Sequence, residues 1–404
     1  MRGYRHLSQI LTLEGALKKD GRRLLPDDLS VIQDGAIVFD DQAILWVGPS
    51  SHIPAQFSAA SFTDLPGHVL TPGLVDSHTH LLFGGNRAGE YVRRLNGEDY
   101  QAIARGGGGI LYTVAETLKL SEAQLVELGR ERINRIAGYG VTTLEMKSGY
   151  ALSLEGELRL LRAAHTLKRV FAGRVEIVST FLGAHAVPSA FATSQDFLRS
   201  VVLPTLQQAA REGIVDLVDI FCEEGYFSLQ DGRELFREAH RLGLGLKVHA
   251  DEFTDGGGAE LAVAFGALSA DHLLRTSDAG IRSLAKSDTV ATLLPCTAFF
   301  LGKPLARARD FLDAGCRVAI ASDFNPGSSH VDNVLLVASI AAAPLGLNVA
   351  ELWAAIGLNA AAALGKRDRG ALVPGMRPQF ALFEVSDAAE ISYSWGRNFS
   401  RGLP

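Results

Sequence analysis

Two histidines one residue apart close an apolar run, Val75-Asp76-Ser77-His78-Thr79-His80. In extended backbone, alternate side chains share a face, so Asp76, His78 and His80 point the same way, and two imidazoles side by side make a ready pair of metal ligands. Three more histidines stand where apolar runs end: His185, His249 with Asp251 and Glu252 after it, and His272 in Asp271-His272. Asp323 closes the last such run. The others of the 11 histidines, His6, His52, His68, His165, His240 and His330, fall in turns or on helix-spaced segments and read as solvated or structural. A lone strand-end histidine is as readily a satisfied core residue as a ligand, whereas burying His78 beside His80 without a shared partner is costly. Asp323 alone could cap the helix after it, but its distance from His80, about one barrel length, favours closure of the same site.

Three imidazoles and one carboxylate suit zinc, iron or another late first-row metal. Such an ion lowers the pKa of a bound water from about 15.7 towards about 7, and the chemistry implied is hydrolysis. Asp323 could bind the ion and take the proton of the water, and His272 could orient that water or stabilise an oxyanion. Asp76 and Asp271 could fix imidazole tautomers or serve as plain structural acceptors.

These residues need a scaffold that gathers strand ends. Eight apolar runs, 73–77, 141–146, 175–181, 215–221, 244–248, 267–270, 289–294 and 318–321, finish in polar residues. Between them, segments such as 122–137, 155–167, 195–211 and 232–242 carry apolar residues at helical spacing. Alternating strands and helices predict a parallel sheet, and eight repeats predict a (β/α)8 TIM barrel whose C-terminal strand ends carry function; a doubly wound open sheet is the alternative. The first 70 residues read instead as short strands, at 30–39 and 43–47 around a turn at Asp40 and Asp41, and the tail returns to that style at 371–384, with Pro374, Gly375 and Pro378 as breakers. The expected class is α/β, with a catalytic barrel over 71–365 and a small β-sandwich domain built from 1–70 and 366–404.

Composition narrows the function. With 39 basic and 45 acidic residues the formal net charge is −6, which argues against a protein held on nucleic acid by bulk charge. Hydrophobic residues at 47% and charged residues at 21% fit a globular core. Cys222, Cys296 and Cys316 are odd in number and far apart, so no disulfide framework is expected and a reducing compartment is. Arg5, Glu14, Lys18 and Lys19 interrupt any signal-peptide core, and a cytoplasmic location is expected. The longest apolar stretch, 334–347, contains Ser339 and Pro344 and falls short of the roughly 20 residues of a membrane span. The run Gly106-Gly107-Gly108-Gly109 neither follows a strand nor ends in Lys-Ser or Lys-Thr, so it reads as a connector or a loop over the barrel mouth rather than a phosphate cradle. Tyr100 before it could reach the pocket, and Cys296 could face it.

Pro72-Gly73-Leu74-Val75-Asp76-Ser77-His78-Thr79-His80, with His249, His272 and Asp323, resembles the amidohydrolase superfamily of metal-dependent barrel hydrolases. Five stretches sharpen the likeness: Phe83-Gly84-Gly85-Asn86-Arg87, Glu145-Met146-Lys147-Ser148-Gly149-Tyr150, Thr180-Phe181-Leu182-Gly183-Ala184-His185, His249-Ala250-Asp251-Glu252 and Asp323-Phe324-Asn325-Pro326-Gly327-Ser328. Together they are similar to the imidazolonepropionase family, which opens the ring of 4-imidazolone-5-propanoate to N-formimidoyl-L-glutamate in histidine degradation. The resemblance implies that His78, His80, His249 and Asp323 hold one zinc or iron ion per subunit. It implies that Arg87, Tyr150 and His185 bind the substrate, that Glu252 contacts the ring nitrogens, and that Asn325, Gly327 and Ser328 line the pocket. Cys222-Glu223-Glu224 stands where other superfamily members place a metal-bridging carboxylated lysine, which implies a single ion. The expected partner is a small anionic heterocycle, with no nucleic acid and no membrane, and the family habit is a homodimer.

Elementary chemistry supports these roles unequally. A propanoate entering a chain of net charge −6 needs a local cation, and the Arg87 fork could supply about 1.5–3 kcal/mol. By itself Arg87 reads as a surface salt bridge, Glu252 as a solvated loop carboxylate and Tyr150 as core packing. The loop 325–329 has turn chemistry that exposes backbone amides, useful to an anion. Two other readings compete: a purine or pyrimidine deaminase on the same scaffold, which needs no arginine clamp, and a non-catalytic barrel serving assembly, which the intact ligand set disfavours. Replacing Arg87 by Met separates the first two: loss of the clamp should cost about tenfold or more in kcat/KM for the propanoate substrate. Unchanged turnover would remove Arg87 from the pocket.

Overall fold

The computed structural model describes residues 1–98, 103 and 108–404; Tyr100, Gly106 and Gly107 lie outside the described residues. Five strands open the chain: β1 (Arg2–Leu11), β2 (Val31–Phe39), β3 (Ile44–Pro49), β4 (Ser61–Asp64) and β5 (Val69–Pro72). The eight apolar runs then become β6 (Leu74–Asp76), β7 (Val141–Lys147), β8 (Glu176–Ala184), β9 (Leu217–Cys222), β10 (Gly245–Ala250), β11 (Ser269–His272), β12 (Val290–Leu293) and β13 (Val318–Ile320). They pair in parallel, each with its successor, into one eight-stranded sheet. Helices cover them, and several start at polar caps the sequence displays: Ser121, Ser153, Ser228 and Ser277 each accept a backbone N–H from the first turn.

The seam between β13 and β6 carries no regular ladder among the described residues. Side chains close it instead. The Asp76 carboxylate accepts from Ser322 N at 3.0 Å and from Ser322 Oγ at 2.6 Å. Just beyond, Asp323 N donates to His78 O at 3.0 Å and His80 N to Phe324 O at 2.9 Å. First and last strands are thereby drawn together at the residues expected to do chemistry.

The barrel interior holds a charged cluster as well as an apolar one that includes Val178, Leu217 and Val290. Glu145, Lys147, Asp219, Lys247 and Asp271 are all fully buried. Lys147 Nζ lies 2.6 Å from Asp219, 2.9 Å from Glu145 and 4.0 Å from Asp271, and Lys247 Nζ lies 3.3 Å from Glu145 and 3.2 Å from Asp271. Burial alone would discharge the Lys147 ammonium, but three carboxylates around it outweigh burial and hold its pKa up.

The chain ends form a mixed seven-stranded sheet, completed by β14 (Phe380–Phe383) and β15 (Ser400–Arg401), in the order β15-β14-β5-β1-β2-β3 with β4 on β1. β1 pairs β4 through Arg2–Arg5 and β5 through Gln9–Ile10, and its register shifts between Tyr4 and Leu7. Phe380 packs edge-on to Tyr4 and to Phe39, which are tilted against each other, in the core of this sheet. The tail run 371–384 makes a strand only over Phe380–Phe383, because Pro374, Gly375 and Pro378 hold the preceding chain in turns. Leu11, Val69, Ala381 and Phe383 belong to the same apolar cluster as the barrel helices, so the main core runs from one sheet to the other. The three cysteines are free, and no helix among the described residues is long and apolar enough to cross a membrane.

Replacing Ser322 by Ala would remove one donor from buried Asp76 and should cost about 1–3 kcal/mol, read as a lower urea midpoint. An unchanged midpoint would mean that the seam is held elsewhere.

Candidate active site

Each strand end delivers its side chain to one point. His78 and His80 follow β6, His249 lies in β10, and their Nε2 atoms stand 3.3 Å (His78 to His80) and 3.4 Å (His80 to His249) apart. All three are buried, and one nitrogen of each lies within 4.8 Å of the others. Asp323 Oδ1 is 3.5 Å from both His78 Nε2 and His80 Nε2, while its second oxygen accepts the Thr297 hydroxyl. The four expected ligands are therefore together.

The outer nitrogen of His78 fixes its tautomer. His78 Nδ1 lies 2.6 Å from Asp271 Oδ2, which assigns the proton to Nδ1 and leaves the Nε2 lone pair facing the cluster. His249 Nδ1 lies 2.9 Å from Asp219 Oδ2, a contact too bent for an aligned hydrogen bond. Burial, reinforced by Lys147 and neighbouring imidazoles, holds His78 well below the ordinary histidine range, and burial with His185 and His249 does the same for His80. Three imidazole Nε2 atoms that converge within hydrogen-bonding distance beside a carboxylate form a set that a cation answers. By donor type and spacing the residues present fit a divalent metal.

Asp271 thus takes the orienting role open to it, and Asp76 does not. The expectation that Asp76 shares a face with the imidazoles assumed that the strand continues, but β6 ends at Asp76 and its carboxylate turns to Ser322. Burial lifts that carboxyl to about 7 despite the Ser322 bonds.

One pocket opens above the cluster, lined by His80, Arg87, Tyr150, His185, Glu252, His272, Asp323, Asn325 and Ser328 among others. Arg87 is 5% exposed, so the surface salt-bridge reading fails, although its Nε does bond Glu90 at 2.8 Å. His185 stacks on His80 at 5.2 Å, its Nδ1 lies 3.0 Å from Gly149 O, and burial brings its pKa down to about 3. His272 is likewise held neutral by burial and by His249, and its Nε2 lies 3.7 Å from Glu252 Oε2. Glu252 is buried, not solvated: burial first, then Asp323 and Glu223, push its carboxyl well above the ordinary range. Burial also raises Asp323 to about 6, against the Thr297 hydrogen bond. Asp251, His272 and Asp323 all adopt left-handed backbone, with φ of 51°, 78° and 51°, so the ends of three strands carry strain of the kind that gathers at functional sites.

Three expectations change. Gly327 does not line the pocket; a Cβ there would meet Arg87 Nη1 at 1.9 Å, so the glycine makes room for the guanidinium. The amides of Gly327 and Ser328 are not open to an anion, because Asn325 Oδ1 accepts both at 2.8 Å. Cys296 is not a lining residue, although Leu301 at the far end of its helix is. Sequence reading passed over Lys147, Lys247 and Asp219, and also Phe221, Tyr226 and Phe253 in the pocket wall, where the Phe221 and Tyr226 rings stand 4.4 Å apart. The signal was available: Lys247 precedes His249 by two positions, and Glu145 and Lys147 alternate along β7.

Comparison with known proteins agrees with this geometry. No family model matches the chain. It is 42% identical over 400 residues to the imidazolonepropionase of Bacillus velezensis, covering 98% of this chain and 93% of that one. It is 40% identical over 373 residues to the imidazolonepropionase of Paracoccus denitrificans, covering 91% and 92%. Among solved structures, a zinc-bound adenosine deaminase from Xanthomonas campestris superposes with a TM-score of 0.71 at 16% identity, covering 98% of this chain and 90% of that chain. An atrazine chlorohydrolase from Arthrobacter aurescens TC1 complexed with zinc gives 0.65 at 17% identity, covering 96% and 88%. These structural likenesses speak to the barrel fold alone, and the near full-length sequence relatives decide the family: the chain belongs to the imidazolonepropionases.

Proposed function

We propose that the chain hydrolyses 4-imidazolone-5-propanoate to N-formimidoyl-L-glutamate, using one zinc or iron ion per subunit at His78, His80, His249 and Asp323. The observation that carries this reading is the meeting of three imidazole nitrogens beside a carboxylate, in a pocket that also holds a buried arginine. An ion at those residues, when bound, lowers the pKa of a water ligand from about 15.7 towards about 7 and so supplies a nucleophile at neutral pH. The water oxygen adds to the ring carbonyl carbon, the bond from that carbon to the ring nitrogen breaks, and the nitrogen takes up a proton as a carboxylate forms.

The side chains divide that work. Asp323, whose carboxyl sits near 6, accepts the water's proton. Glu252, whose carboxyl burial first and then Asp323 and Glu223 push well above the ordinary range, carries a proton to the ring nitrogen. His185 and His272, both neutral, hydrogen-bond the ring and the developing oxyanion. Arg87 receives the propanoate, and Tyr150, Asn325 and Ser328 shape the remaining wall. A deaminase would find no use for the buried Arg87. Three free thiols fit a reducing cytoplasm.

Asp323→Asn should abolish turnover and lower bound metal while far-UV circular dichroism stays unchanged; an unfolded variant would make the residue structural. Glu252→Gln should slow turnover about 100-fold with metal content intact. A parallel fall in bound metal would move Glu252 into the coordination sphere.

A further inference from the structure

Glu252 is a carboxylate with little to hold it. Its side chain is 9% exposed, and its Oε2 lies 3.7 Å from the Nε2 of the neutral His272. Its position must be set through the backbone, and the chain is gripped on both sides of it. Upstream, Asp251 Oδ1 accepts Gly258 N at 3.0 Å, its Oδ2 accepts Thr276 Oγ1 at 2.9 Å, and its carbonyl accepts Arg275 N at 2.8 Å. Downstream, the Glu223 carboxylate accepts Phe253 N at 2.8 Å, Thr254 N at 3.3 Å and the Thr254 hydroxyl. Beyond that grip the downstream side is tied by Ser277 N to Asp255 Oδ1 at 3.2 Å, while Phe253 is 39% exposed and Gly256 and Gly257 follow.

Glu223 is built for the task. It follows β9 directly and is 6% exposed; its amide donates to Phe227 O at 3.2 Å and its carbonyl accepts Tyr226 N at 3.0 Å, which fixes the turn that presents its carboxylate. Amides bound to a charged acceptor make stronger bonds than amides bound to a neutral one. No ion pair involving Glu223 appears among the described residues, so its charge is spent on amides and one hydroxyl of the 251–254 loop and on Glu224 N at 3.0 Å.

We propose that Glu223 is a positioning residue for the ring-opening reaction: its carboxylate clamps the two amides that follow Glu252 and fixes where the Glu252 side chain meets the substrate ring. The proposal rests on the reading of Glu252 as the proton carrier. It gives the Cys222-Glu223-Glu224 stretch a use in place of a metal-bridging group.

The test is a mutant cycle on the full-length, metal-loaded protein with Glu223→Ala, Glu252→Gln and the double variant, reading kcat, KM, bound metal and amide hydrogen exchange. Glu223→Ala should lower kcat about 10- to 100-fold, leave KM within about twofold and bound metal unchanged, and speed exchange at Phe253 and Thr254. In the Glu252→Gln background it should cost nothing further, and Glu223→Gln, which keeps one accepting oxygen, should recover part of the rate. Glu223→Gln carries the cycle if the alanine variant does not fold. An equal loss in both backgrounds, or an unchanged kcat, overturns the positioning role while the reading of Glu252 stands. Wild-type turnover by Glu252→Gln alone overturns that reading and this proposal together.

Discussion

Three imidazole nitrogens that face one another across about a hydrogen bond's length, beside a carboxylate, make a place for something positive. That constraint organises this barrel. It requires His78 and His249 to be turned by carboxylates behind them, and Asp271 and Asp219 stand there. Those carboxylates, with Glu145, would repel one another in a dry interior, and Lys147 and Lys247 sit between them. Buried ion pairs of this sort are weak sources of stability, because desolvation consumes most of the Coulomb gain. Their contribution here is orientation: the polar column beneath the site holds the imidazoles in register for an ion above it.

Above the cluster the same logic is applied to the substrate. The pocket holds the neutral His185 and His272 and two raised carboxyls, an environment in which protons move at modest cost, and the buried Arg87 guanidinium for a negative charge. Gly327 shows how tightly this is arranged, since any larger residue would displace Arg87. Left-handed backbone at Asp251, His272 and Asp323 indicates that local conformational energy has been given up to aim those loops.

Much of this was legible in the amino-acid sequence. Eight strands could be placed because each apolar run ends in polar residues, and His78, His80, His249 and Asp323 could be placed because they end such runs. The buried lysines were harder to see, because Lys is among the residue types least expected in an interior unless paired. Asp76 misled for a local reason: β6 stops at that residue, so alternation no longer sets its direction. The loop after β13 misled for another, since turn composition cannot tell that Asn325 spends its own carbonyl on the amides of Gly327 and Ser328. Likewise, the tail's prolines limited its strand to four residues.

A ring fastened by a carboxylate and a serine is a ring with a clasp, and this clasp lies beside the ion's own berth. Breathing that parts the first strand from the last would carry His78 and His80 away from Asp323, so affinity for the ion and closure of the ring are linked quantities. Where the metal is scarce, the molecule would loosen first at the place where it works.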